Sequence, residues 1–169
     1  MQSEEEIINK VAESGLMQID LEDYLPKGEK VILDLKDFLF EGILLREKDF
    51  RSLVKNYNWG QYEGKYIALT CSSEAILPTW AFMLITSALL PYAKKIVNGG
   101  LEKLTEVLLE EGIANMNIES FRNQKVMVKG CGHIDVPPSA YIAVTTRLKP
   151  VVQSLMYGEA CSTVPVWKK

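Results

Sequence analysis

The stretch YIALTC at 66–71 decides the fold, together with SSEAIL at 72–77, Pro78-Thr79 and an apolar run through Thr86 to Pro91 and Gly99. An uncharged, β-rich segment that leads through a short polar loop into a longer apolar run reads as a buried strand, a loop and a core helix. The same order recurs further on. VMVKGC at 126–131 is followed by GHIDVP at 132–137, Pro138-Ser139, and a run through Thr146 to Pro150 and Gly158. Cys to Pro is seven residues in both segments, and Pro to Thr is eight. One deleted residue then aligns Pro91 with Pro150 and Gly99 with Gly158. The expectation is an internal duplicated strand–Cys–loop–helix unit, with Cys71 and Cys131 in equivalent places.

Working outward, 4–13 carries Ile7, Ile8 and Val11 at helical spacing behind Glu4, Glu5 and Glu6, whose charge suits a helix start. Residues 15–29 contain Gly15, Pro26 and Gly28 and read as irregular. A strand is expected over 30–35, a second over 40–47 turning at Gly42, and a helix over 48–57. Asn98-Gly99-Gly100 reads as a helix stop. A helix follows over 101–111, with Leu104, Leu108 and Leu109 on one face. A shorter helical segment is expected at 118–122, a strand at 125–129, a helix over 139–157 stopped by Gly158, and an extended tail over 161–167. Strands alternating with helices give an α/β fold. We expect a single domain over 1–169 with a small, mostly parallel sheet. An α+β fold is the alternative, because 38–45 could form an antiparallel hairpin.

The chain has 169 residues, 47% of them hydrophobic, which is enough to bury a full core. Net charge is −3 and the basic residues are scattered, which argues against a nucleic-acid partner. Residues 75–93 carry no charge, but Pro78 and Pro91 limit the helix there to about three turns. A core helix is expected, and no membrane span. The acidic start lacks the basic and apolar regions of a secretory signal. The expected location is cytoplasmic, where the three cysteines stay reduced.

Chemistry is expected at the strand ends, since ligands of open parallel sheets gather beyond the carboxyl ends of strands. Cys71 and Cys131 both follow predicted strands, and Cys161 lies in the tail that returns after the second helix. The loops between add Glu74, His133 and Asp135. His133 is the only histidine in the chain. Cys71, Cys131 and Cys161 with His133, Glu74 or Asp135 therefore form a candidate metal shell for zinc or an iron–sulfur cluster. Two other readings stand beside it. One is a thiol-dependent enzyme, with a cysteine activated near a helix start. The other is a non-catalytic homodimer with structural cysteines and a surface containing Trp59, Tyr62 and Trp167. Phosphate-binding glycine loops and a G-x-S-x-G elbow are absent.

Four strings carry a wider resemblance: DLKDFLFEGILLREKDFRSLVKNYNW at 34–59, YIALTCSSEAILPTWAFML at 66–84, KGCGHIDVPPSAY at 129–141 and MYGEACSTVPVWKK at 156–169. They resemble the bacterial family called domain of unknown function 2480, over nearly the whole chain and all three cysteine segments. The resemblance implies no particular activity. It implies an association with iron–sulfur cluster assembly, and so assembly proteins as partners.

Overall fold

A computed structural model describes residues 15–130, 132–159 and 162–169. The helix expected over 4–13 lies outside the described residues, as do Cys131 and Cys161. The described chain is α/β, with four α-helices and two small, mostly parallel sheets. No helix among the described residues is long and apolar enough to cross a membrane.

In chain order, β1 (Leu16–Ile19) leads into a 3₁₀ turn, Leu21–Tyr24. Then come β2 (Lys30–Asp34), a 3₁₀ turn at Leu35–Phe38, α1 (Glu47–Asn56) and a 3₁₀ turn at Trp59–Tyr62. β3 (Tyr66–Thr70), α2 (Thr79–Leu89) and β4 (Lys95–Asn98) follow. α3 (Leu101–Ala114), a 3₁₀ turn at Ile118–Phe121, β5 (Lys125–Val128), α4 (Pro138–Leu148), β6 (Ser154–Glu159) and β7 (Ser162–Lys168) complete the chain.

These elements fall into two compact units: Lys27–Val107, and the described residues up to Pro26 together with Leu108–Lys169. The first unit holds a parallel sheet of order β2-β3-β4, with Leu33 beside Leu69 and Ile67 beside Ile96. β3 is central. Its residues Tyr66 to Leu69 are all buried, which explains the unbroken apolar string of a strand covered on both faces. α2 buries Ala81, Ile85 and Leu89, one face at four-residue intervals, against Phe50, Leu35 and Ile67. Trp59 and Tyr62 are buried at 8% exposure each, so they are core residues and not the surface aromatics expected. The Trp59 ring stacks on Phe38 at 5.9 Å, and its Nε1 donates to the Val54 carbonyl at 2.8 Å.

The second unit holds a sheet of order β1-β5-β6-β7, parallel except for β7. Its core joins Ile19, Leu109, Ile113, Val126, Val144, Leu148 and Leu155. Trp167 is partly buried against it.

Several expectations change. The segment 15–29 contains β1 and a 3₁₀ turn. No strand runs through 40–47: Phe40 and Leu44 form an isolated bridge around Glu41 and Gly42, whose φ values of 51° and 72° curl the chain. The helix expected over 139–157 ends at Leu148, because Pro150 offers no N–H to continue it. A further strand, β6, follows. Gly99 and Gly158, read as helix stops, instead follow β4 and sit in β6, at φ 132° and 125°.

The register between the repeated segments also changes. Pro78 and Pro137 precede α2 and α4 with the same extended geometry. Ala81, Ile85 and Leu89 match Ala140, Val144 and Leu148 as the buried faces. Gly99 matches Gly158, so the separation is a constant 59 residues with no gap. At that separation Cys71 corresponds to Gly130, and Ser72 to Cys131. The equal Cys-to-Pro spacing aligned the wrong proline of the pair Pro137-Pro138.

A candidate functional site at the carboxyl edge of the four-stranded sheet

Parallel pairing of β1, β5 and β6 brings three strand ends together, and with them Asp20, Lys129 and Glu159. Asp20 caps the following 3₁₀ turn by accepting from the Glu22 amide at 3.1 Å. Its other oxygen accepts from Lys129 Nζ at 2.7 Å. That hydrogen bond holds the Asp20 carboxyl below the usual carboxylate range, against the opposing effect of burial. The same bond raises Lys129 above its ordinary value, and Glu159 adds to the effect.

One hydrogen bond ties Ile134, after β5, to the turn that follows β1. Glu22 Oε1 accepts from the Ile134 amide at 2.9 Å. A Cβ at Gly132 would collide with that Glu22 carboxylate, and one at Gly130 would collide with the Tyr157 hydroxyl. A side chain at either position would have to displace the end of Glu22 or of Tyr157. Tyr141 of α4 meets Tyr157 of β6 edge to face, with ring centroids 5.6 Å apart at 77°. Asp20, Lys129, Gly130, Gly132, Asp135 and Tyr157 line a cleft of about 340 Å³. One further group stands out at this end of the sheet. Glu159 Oε1 is buried and has no hydrogen-bond partner among the described residues.

The matching end of the three-stranded sheet is closed by backbone. Asp34 Oδ1 accepts from the amides of Lys36 and Ser72, both at 3.0 Å. Burial pushes the Asp34 carboxyl up, but the bonds from Ser72 and Lys36 outweigh it and hold it below its ordinary value. The Cys71 thiol donates to the Ser73 carbonyl at 3.7 Å, and Ser73 Oγ accepts from the Ala75 amide at 3.2 Å.

Cys71 and Glu74 thus belong to the three-stranded unit, the first partly buried and the second exposed. His133 and Asp135 belong to the four-stranded unit and are both exposed, with Asp135 on the cleft wall. Among the described residues, no three His, Cys, Asp or Glu side chains converge as a metal shell. Sequence reasoning missed Asp20, Lys129, Tyr157 and Glu159. A signal for the first was present. Asp20-Leu21-Glu22-Asp23-Tyr24 and Asp34-Leu35-Lys36-Asp37-Phe38 are two copies of one pattern. In each, a carboxylate caps a 3₁₀ turn and the next leucine is buried.

No curated protein and no solved structure matches this chain. The family model described as Protein of unknown function (DUF2480) does match, over residues 5–169, and the chain belongs to that family.

Proposed function

We propose that the carboxyl edge of the four-stranded sheet is a thiolate metal site, and that the protein is a cytoplasmic accessory to metal or iron–sulfur chemistry. The observation that carries this reading is Glu159 Oε1, a buried carboxylate oxygen with no partner among the described residues. A buried carboxylate in that state calls for a cation or a donor. Two cysteines have neighbours in the right place. Gly130 and Gly132, on either side of Cys131, line the cleft. Glu159 and Ser162, which bracket Ala160 and Cys161, pair across β6 and β7.

Cys131 and Cys161 would bind as thiolates, Glu159 as a carboxylate and His133 through its imidazole. Such a mixed set of four donors suits tetrahedral zinc. An iron–sulfur cluster is ordinarily held by four thiolates, which this set does not supply. The iron–sulfur link is therefore proposed as a relation to partner proteins, on the family resemblance. Zinc in this shell would fasten the loop after β5 to the end of β6.

The test is metal analysis of untagged protein purified without oxygen. About one equivalent of zinc per chain is expected, because structural sites bind tightly. Cys131→Ser and Cys161→Ser should lose it, and Cys71→Ser should keep it. Less than about a tenth of an equivalent in the unaltered protein would sink the proposal.

A further inference from the structure

We infer that the cleft and an apolar chamber beside it form one two-part site for a small organic ammonium ligand with an apolar body. The chamber measures about 240 Å³ and lies between α4 and β5, β6 and β7. Val128, Val144 and Leu155 form its buried interior, and Val166, half exposed, stands at its mouth. Tyr141 and Tyr157 line both the chamber and the polar cleft. Their edge-to-face contact is thus the wall between two compartments of opposite character.

The size of the chamber sets the body of the ligand. An apolar cavity of about 150 Å³ is large enough to admit benzene. The larger chamber here accepts a phenyl ring or a short alkyl chain, held by the burial of apolar surface.

The charges of the cleft set the head. Asp20 and Lys129 neutralise each other at 2.7 Å. That leaves Asp135 on the cleft wall, with no ion pair among the described residues. The surplus charge is negative, so it attracts a cation and repels an anion. An ammonium at the Tyr141–Tyr157 boundary would meet a carboxylate on one side and place its apolar body in the chamber. Nothing in this chemistry requires a bound metal.

Titration calorimetry with the full chain tests the assignment, using phenethylamine, methylamine and 3-phenylpropionate as probes. Phenethylamine should bind saturably at one site, and the other two at least about tenfold more weakly, since loss of either the apolar body or the positive charge removes one half of the recognition. Asp135→Asn should weaken phenethylamine about tenfold. Val166→Arg should weaken it by a similar factor, by placing a positive charge at the mouth. Position 166 lies on an exposed strand, so that variant should fold, which a melting curve can verify. The loop that carries Asp135 is also the one the proposed zinc would hold, so the titrations are run before and after dialysis against a chelator; the order of preference among the three probes should hold in both, which separates this site from the metal proposal. Three results would overturn it: no binding in the millimolar range, equal binding of 3-phenylpropionate, or unaltered affinity in Asp135→Asn.

Discussion

Many positions of the two units match at one separation, while their strand ends differ. At the constant separation of 59 residues, Phe50 matches Leu109, Val54 matches Ile113 and Tyr62 matches Phe121, all buried. Backbone bonds match as well. Lys94 donates to Lys65 at 2.8 Å, and Gln153 donates to Gln124 at 2.8 Å. Gly64 donates to Tyr92 at 2.9 Å and Asn123 to Val151 at 2.8 Å, with both donors at positive φ. The units differ in the extra strand β7 of the second, and most sharply at the strand ends. In one unit Asp34 is held by two backbone amides and the following loop closes on itself. In the other, Lys129 takes the place of Thr70, draws Asp20 to its side chain, and a cleft opens. Buried apolar positions fix the frame, while a few polar residues set which bonds form at its strand ends.

The strongest test of a common frame is a matched pair of truncations. Leu89 and Leu148 end the buried faces of α2 and α4 and are both fully buried. Leu89→Ala and Leu148→Ala should each cost about 3 kcal/mol in urea unfolding, from lost burial and the cavity left behind. A cost under about 1 kcal/mol at either position would break the comparison, because a buried face that is truly shared cannot tolerate the change on one side only.

A second pair sharpens the difference. Gly112 of α3 matches Leu53 of α1. A Cβ at Gly112 would collide with the Tyr24 carbonyl, whereas Leu53 is 47% exposed. Gly112→Ala should therefore cost about 2 kcal/mol despite the better helix propensity of alanine. Leu53→Ala should change stability by less than about 0.5 kcal/mol. Thermal melts of the two variants decide it. Equal shifts would mean that the close approach at Gly112 relaxes without cost.

Much of the frame was legible in the sequence, and much of the edge was not. β3, α1 and α2 follow from apolar runs and helical spacing, which act over a few residues. β1, β4 and β6 carry no local signal, for one reason. LMQI, KIVN and SLMYGE are short and carry polar residues, and each becomes a strand by pairing with a distant neighbour, such as Val126 beside Met17. The cleft was hidden similarly. Lys129 and Asp20 are 109 positions apart, and nothing local to either signals the bond. The three cysteines stand out in the sequence because their residue type is chemically distinctive. The repeated Asp-Leu-x-Asp-aromatic pattern was the better guide to the strand ends, since it names the residue that organises each one.

The smallest expected effect concerns those two carboxylates. Asp20 and Asp34 both titrate below the ordinary aspartate value of about 3.9 in the folded chain. A depressed folded value means that each contributes stability fully above about pH 5, and that this contribution is lost as pH falls through the folded value. Asp20→Asn and Asp34→Asn should each lower stability at pH 7 by about 1 kcal/mol or less, the scale of a lost cap, and should flatten the acid slope. Salt should then separate them. Asp34 is bound by backbone amides, so its contribution should persist in 1 M sodium chloride. Asp20 is bound chiefly by the Lys129 ammonium, at 26% side-chain exposure. Its contribution should shrink there, because screening at that ionic strength acts within about 3 Å. Equal salt sensitivity of the two variants would mean that the Lys129 side chain does not hold Asp20 in solution, and the open edge would then need another cause.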